Sequence, residues 1–411
     1  MKRVLMVAYH FPPLAGSSGI QRTLRFVRHL PEFGWQRAVL NVHPRAYERT
    51  SADLDGEVPD DLLVERAFGL DAARHLALAG RYPRFLACPD RWMTWQYDAV
   101  RVGMRMIRQW KPRVVWSTYP IATAHRIGRA LHDRARLPWI ADFRDPMAQE
   151  GYPADPQIWS QFKRIEEAAA REARFSIFTT PGAARMYRER YPPAKERIVV
   201  VENGFDEESF AGMADDGAAR EPLNPGRFTL LHSGIVYPSE RDPTQLLAAL
   251  RLLVDEGHPG VNGLRLRFRA AEHDAMLARL ARQYGVEHLI ELCPPVPYRK
   301  ALEEMTRADA LLVLQASNCN EQIPAKLYEY LRAGRPLVAL TDPSGDTARV
   351  MRDAGLDTVA PLDSSRDIAT LLGRTAREPL PSPSRDYVGR ASRRERARSL
   401  AEFLGRAGSE D

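Results

Sequence analysis

Residues Leu311 to Thr341 read LLVLQASNCNEQIPAKLYEYLRAGRPLVALT. The apolar run Leu311 to Leu314 is short enough for a buried strand, and the polar stretch Ser317 to Glu321 predicts a loop after it. Pro324 suits the first position of a helix, where its missing N–H goes unused. Leu327 and Leu331 repeat at i, i+4 as the buried stripe of that helix, Gly334 ends it, and Pro336 to Leu340 starts a second buried strand. The unit is strand, loop, helix, strand, as in a parallel α/β sheet.

Glu321 and Glu329 stand eight positions apart in this unit, one in the loop and one two turns into the helix. The helix start offers unpaired N–H groups and the positive end of the dipole, with Lys326 in the first turn. A carboxylate on each rim of such an anion cup can accept hydroxyls on either side of a diphosphate. The same residues also fit a solvated loop acid and an i, i+3 surface pair between Lys326 and Glu329.

The run Glu321-x₇-Glu329, continued by Tyr330, Leu331 and Ala333-Gly334-Arg335-Pro336-Leu337-Val338, resembles the donor-binding signature of retaining GT-B glycosyltransferases of family four. The resemblance implies that Glu321 lies by the donor sugar and that Glu329 holds the ribose. This chain carries Gln322 and Ile323 where that family usually has glycines, and Lys326 resembles a recurring variant of the motif.

Composition agrees with two soluble domains. A chain of 411 residues, 44% hydrophobic and 27% charged, can fill two cores and is not compositionally disordered. The net charge is +6, with arginines interspersed among acids, so no nucleic-acid stripe is read and no nucleic-acid partner is expected. Cys88, Cys293 and Cys319 lie far apart and leave one unpaired, which predicts no disulfide framework, no zinc site and a reducing, cytoplasmic setting. Six apolar residues, Val4 to Tyr9, precede His10 and Pro12, fewer than a signal core requires, so this segment is read as a first strand. No run reaches the length of a transmembrane helix, leaving a peripheral contact at the inner face of a membrane as the most that the basic surface suggests.

From the amino end, strand Val4 to Tyr9 leads through HFPPLAGSSG into a helix with the stripe Ile20, Leu24 and Val27. Gly16 and Gly19 fit either a tight turn or a loop approaching a phosphate, and Arg22 is either a phosphate contact or a solvated arginine. Strands are expected at Arg37 to Val42, Leu62 to Phe68, Val114 to Ser117, Trp139 to Phe143, Phe175 to Thr179 and Ile198 to Val201. Helices are expected at Pro89 to Trp110, Ala122 to Ala135, Pro156 to Ala173 and Gly182 to Tyr191. The strand end Ala141-Asp142-Phe143-Arg144-Asp145-Pro146 falls where an α/β sheet collects ligands. Arg144 and Asp145 fit a catalytic role there, and equally a turn in which Arg144 satisfies Asp142. His125 reads as a packed or surface histidine.

Residues 211 to 225 lack periodicity and read as a linker. The pattern then restarts: strand Phe228 to His232, Ser233-Gly234, Arg241, and helix Pro243 to Val254. Arg241 fits a diphosphate contact by the resemblance and a surface ion pair by its acidic neighbours. Further units lead through the opening stretch to a last helix with the stripe Leu400, Phe403 and Leu404, whose arginines read as a solvated face.

The expected fold is α/β, a GT-B arrangement of two Rossmann-like doubly wound parallel-sheet domains facing a cleft. Its expected domains are residues 1–210, 211–380 and a helix over 381–411 that returns to the first. The implied activity is retaining transfer of a sugar from a nucleotide-sugar donor to a glycan or lipid-linked acceptor hydroxyl, with no cofactor and no metal. The candidate transfer residues are Glu321, by the resemblance, and Arg144 and Asp145, by their place at the strand end. The resemblance assigns the donor to Gly16, Gly19, Ser233, Gly234, Arg241, Pro324, Lys326, Leu327 and Glu329. A nucleotide-sugar 2-epimerase and a catalytically silent binding subunit are the alternatives.

Overall fold

The computed structural model describes residues 1–16, 19–79, 81–213, 221–375 and 378–409. It divides into two compact units, one of Met1–Asn203 with Arg393–Asp411 and one of Gly204–Ser392.

The first unit holds a sheet of seven parallel strands: β1 (Lys2–Val7), β2 (Trp35–Val42), β3 (Leu63–Ala67), β4 (Val114–Thr118), β5 (Trp139–Arg144), β6 (Phe175–Phe178) and β7 (Ile198–Val200). Their spatial order is β3-β2-β1-β4-β5-β6-β7. The order reverses beside β1, as in a doubly wound sheet. Strand alternation explains the burial: Leu5 and Val7 enter one core and Val4 and Met6 the other, all fully buried. Both faces are therefore covered, which is why β1 reads as a continuous apolar run.

The final helix, Arg393–Gly408, belongs to this unit and sets Leu400 and Leu404 among Leu24, Val27 and Trp35. Arg394, Arg398 and Arg406 on it are exposed as expected, while Arg393 and Arg396 are half-buried. Arg393 donates to Gln21 Oε1 at 3.1 Å, Arg394 pairs with Glu32 at 2.6 Å, and Arg396 pairs with Glu202 at 2.7 Å.

The second unit has six parallel strands: β8 (Phe228–Ser233), β9 (Leu264–Arg269), β10 (Ile290–Cys293), β11 (Ala310–Gln315), β12 (Leu337–Thr341) and β13 (Val359–Ala360), in the order β10-β9-β8-β11-β12-β13. Along β11, Leu312 and Leu314 face one core and Leu311 and Val313 the other.

The division between units falls earlier than the expected 210/211, because Phe205 and Phe210 are buried in the second unit's core. Residues 214–220 of the expected linker lie outside the described residues. The third expected segment also divides differently. A short helix, Arg385–Arg390, stays with the second unit, where Tyr387 and Val388 pack on its core and Ser384 N–H donates to Ala354 O at 2.9 Å. Only the chain from Arg393 onward joins the first unit.

Leu400 is fully buried, so Leu400→Ala should cost about 2–5 kcal/mol of first-unit stability. Chemical denaturation followed by tryptophan fluorescence should show a lower midpoint, and an unchanged midpoint would mean that this helix is not part of the first core.

Candidate functional site

In the second unit the strand FTLLHS ends at β8 with His232 and Ser233 buried. Gly234 follows with φ +112°, a conformation L side chains rarely adopt. Tyr330, from the helix Lys326–Ala333, fastens that helix to the strand end by accepting the Ser233 N–H at 2.8 Å. Burial of Tyr330 pushes its hydroxyl pKa up, keeping it a neutral hydroxyl.

The helix begins two residues later than the sequence suggests. Lys326 is its first residue and Ala325 its cap, while Pro324 lies before both and supplies the carbonyl that accepts the Leu327 N–H at 2.9 Å. Leu327 is fully buried in the core. Neither its side chain nor its N–H is free for a donor, and its assignment is corrected to a packing role. Among the described residues the N–H groups of Ala325 and Lys326 make no hydrogen bond, so these remain the open donors at this end.

Lys326 does not form the surface pair with Glu329 that helical spacing allows. Its Nζ lies 3.2 Å from His232 Nε2. The other ring nitrogen of His232 lies 2.9 Å from Leu312 O. That contact requires Nδ1–H as donor and leaves the Nε2 lone pair to accept from the ammonium. Burial, then the charge of Lys326, pushes the His232 pKa well down, which keeps the ring neutral. Lys326 is itself lowered to about 7, first by burial and then by Arg241, with Glu329 acting in the opposite direction.

Arg241 is likewise not the surface ion pair its neighbours suggest. Its Nη1 donates to Ile235 O at 2.7 Å and its guanidinium lies 5.1 Å over the Tyr237 ring, while Nε is buried without a partner. Asp242 instead accepts the Thr244 N–H at 2.9 Å, just ahead of the next helix. Among the described residues, no carboxylate lies within ion-pair distance of Arg241 or Lys326. Two cations with open donors therefore stand at the carboxyl ends of β8 and β11, a setting suited to an anion of two or more charges. Glu321 and Glu329 are both partly buried, and Glu329 Oε1 accepts the Tyr298 hydroxyl at 2.7 Å. Asn320 O accepts the Asp346 N–H at 2.9 Å, anchoring the loop that carries Glu321. Sequence reasoning missed the parts of His232 and Tyr298, and gave Tyr330 no role beyond its place in the motif. The only signal for His232 is a polar residue closing an apolar strand.

In the first unit, Arg22 is neither the phosphate contact nor the solvated arginine expected but a buried clamp. It grips Asp142 through two bonds of 2.8 and 2.9 Å and donates to Val201 O at 3.0 Å. Arg144 consequently does not satisfy Asp142. It sits at a register shift of β5 with φ +64°, its Nε buried without a partner and its Nη1 3.5 Å from Tyr119 O. Burial lowers its pKa more than Asp145 raises it. Gly19 opens the helix Gly19–His29 where a Cβ would collide with His10 Nδ1 and come 2.9 Å from Arg144 Nη1. The structure thus brings Gly19, His10 and Arg144 together, and burial beside Arg144 lowers His10 to about 4. Gly16 has φ +76° with open space around it, and Asp145 is exposed. Ser17 and Ser18 of this loop lie outside the described residues. His125 is a packed histidine, buried with Nδ1 2.8 Å from Ser117 Oγ.

Among the described residues no three His, Cys, Asp or Glu side chains converge as metal ligands, and no helix is long and apolar enough to cross a membrane.

A Cβ on Gly234 would come 2.9 Å from Lys326 Nζ, and the backbone there is strained for any other residue. Gly234→Ala should weaken pyrophosphate binding, measured by calorimetry, by at least about ten-fold, equivalent to ~1.4 kcal/mol. Unaltered binding would show that this cradle is not where the anion sits.

Residues 18–204 match the model of a glycosyl transferase 4-like domain. No curated protein sequence matches the chain. Among solved structures it is similar to HepE of Anabaena, determined with UDP, at 14% identity and TM-score 0.61, covering 99% of this chain and 97% of that one. It is also similar to the lipopolysaccharide outer core galactosyltransferase WaaB, at 11% identity and TM-score 0.64, covering 98% and 99%. A third is the α,α-trehalose 6-phosphate synthase of Burkholderia multivorans, at 14% identity and TM-score 0.63, covering 99% of each chain. At these identities the likeness establishes the fold, which is GT-B.

Proposed function

We propose that this chain, of GT-B fold and with residues 18–204 matching the model of a glycosyl transferase 4-like domain, moves a sugar from a nucleotide-sugar donor to an acceptor hydroxyl with retention at the anomeric carbon. The observation that carries this reading is the pair of cations, Arg241 and Lys326, without a carboxylate partner around Gly234. In this reading they hold the diphosphate together with the open N–H groups of Ala325 and Lys326. Glu329 accepts the ribose hydroxyls, exchanging the Tyr298 hydroxyl for them, and Glu321 lies by the sugar. HepE, a structural neighbour, was determined with UDP, which makes a uridine diphosphate the first donor nucleotide to test.

The chemistry is electrostatic. As the glycosidic bond to the donor phosphate lengthens, negative charge grows on the departing diphosphate, and preorganised cations favour that state over the ground state. The leaving phosphate oxygen takes the proton of the acceptor hydroxyl, so no separate side-chain base is needed in the second unit. The first unit supplies the acceptor side, with Arg144 and Asp145 as its candidate polar groups. WaaB's description as a lipopolysaccharide galactosyltransferase supports a role in cell-envelope glycan synthesis.

A panel of nucleotide sugars should include one that raises the melting temperature, since saturation at 100 times Kd adds about 2.7 kcal/mol. Arg241→Ala and Glu329→Ala should each weaken that ligand by at least about ten-fold with the fold intact. Stabilisation by none of the panel would overturn the reading.

Lys326 gives a pH signature. Its pKa in the free protein is about 7, and a bound diphosphate favours the ammonium. Binding above that pH therefore takes up a proton, and affinity falls as pH rises, by up to about ten-fold per unit. Calorimetry in two buffers of different ionisation enthalpy should report the uptake. Lys326→Arg, charged throughout, should abolish it; an undiminished slope in that variant would assign the proton elsewhere.

A further inference from the structure

The first unit carries a groove of about 580 Å³ that the transfer reading leaves unassigned. Phe85 and Cys88 form one wall, and Arg126, Ser160, Gln161 and Arg164 line the rest. Two features set it apart from an ordinary surface dip. Phe85 is an aromatic ring left 70% exposed, so an apolar group laid on it would take that surface out of water. Arg126, on the helix Ala122–Ala135, and Arg164, on the helix Pro156–Glu172, point into the same space. Among the described residues neither makes a hydrogen bond or an ion pair.

The nearby acids are already committed. Asp155 pairs with Arg84 and caps its helix by accepting Gln157 N–H at 2.8 Å and Ile158 N–H at 3.2 Å. Asp90 accepts from Thr123 N at 2.7 Å, Thr123 Oγ1 at 2.9 Å and Trp92 N at 3.1 Å, and senses Arg126 only through its field. The groove therefore combines net positive charge with an apolar wall.

The geometry points to an anionic amphiphile as its ligand: a phosphate monoester gripped by Arg126 and Arg164, with its apolar portion laid on Phe85. Guanidinium groups suit phosphate because their planar donors match its oxygens, and Ser160 and Gln161 add neutral donors beside them. This deepens the assignment of the acceptor side to the first unit by giving the acceptor a phosphate next to an apolar chain.

The test uses the full chain and decyl phosphate below its micelle concentration, with inorganic phosphate, decanol and vesicles of phosphatidylcholine with or without phosphatidate as comparators. Trp159, 37% exposed on the same helix, provides a fluorescence signal. Decyl phosphate should bind, and Arg126→Ala combined with Arg164→Ala should weaken it by at least about ten-fold. Phe85→Ala should bring its affinity toward that of inorganic phosphate. Because Arg164 is exposed and unpaired, Arg164→Ala alone should keep the wild-type melting temperature while still losing affinity. Equal binding by wild type and the double variant would overturn the proposal, as would decanol or inorganic phosphate binding as tightly as decyl phosphate. Binding to phosphatidate vesicles with the same arginine dependence would place the phosphate in a bilayer headgroup; binding of the monomer alone would place it on a free ligand. UDP affinity in these variants should equal the wild type's. Loss of UDP binding in the wild type, with decyl phosphate retained, would sink the donor reading and leave the groove standing.

Discussion

A lysine ammonium and a guanidinium held close together without a counter-carboxylate are the constraint on which the second unit's local geometry turns. Removing charge from water is expensive, and the two side chains meet that cost differently. Lys326 can shed its proton, and its lowered pKa is the response to burial and to Arg241. Arg241 cannot, so it spends one N–H on Ile235 O and lies against the Tyr237 ring. His232 is pinned through Leu312 O so that a lone pair faces the ammonium. Gly234 is the only residue type that leaves the ammonium its space with that backbone. Each neighbour tolerates positive charge without cancelling it, the condition under which a multiply charged anion gains most from entering.

Much of this was legible because parallel strands buried on both faces appear as short apolar runs, and the runs at Leu311 and Leu337 bracket the helix that carries Lys326 and Glu329. The resemblance to GT-B glycosyltransferases over Glu321 to Val338 carried the fold, and the domain model and structural neighbours agree with it. What escaped has physical causes. β13 is two residues long, too short for any period. The segment Arg385–Arg390 has no apolar stripe of its own and is held by Tyr387 and Val388 on a core built elsewhere. The partners of Lys326 and Glu329 are remote in sequence. His232 is 94 positions from Lys326 and Tyr298 is 31 from Glu329, so only the closed sheet reveals either pair.

Arg22, and not Arg144, holds Asp142 for a reason that strand geometry explains. On a regular strand Asp142 and Arg144 share a face, which makes their pairing the natural expectation. The register shift between them, with Arg144 at φ +64°, breaks that alternation and turns its side chain away. Asp142, fully buried, would then lack a counter-charge. Arg22, from the first helix, fills the role and adds Val201 O, tying three elements at one point. An uncompensated buried carboxylate would cost several kcal/mol, so removing Arg22 damages the fold first and any chemistry second.

The strain at Arg144 persists because its surroundings over-determine it. Thr179 fixes its carbonyl twice, through the backbone N–H at 2.9 Å and Oγ1 at 2.8 Å. Beyond Asp145, Tyr187 accepts the Met147 N–H at 2.9 Å and Glu166 accepts the Ala148 N–H at 2.7 Å. Glu166 is buried, yet Tyr187, Tyr191 and Arg190 also donate to it, so its charge is met from several sides. A non-glycine residue in the left-handed region costs of order 1–3 kcal/mol, and a network of this kind is what can sustain it. The backbone on both sides of Arg144 and Asp145 is thereby fixed, while Arg144 Nε is left without a partner. Stability would be better served by satisfying that nitrogen. Arg144 Nε is therefore a rigidly placed donor open to a ligand, which is what the acceptor-side role proposed for it requires.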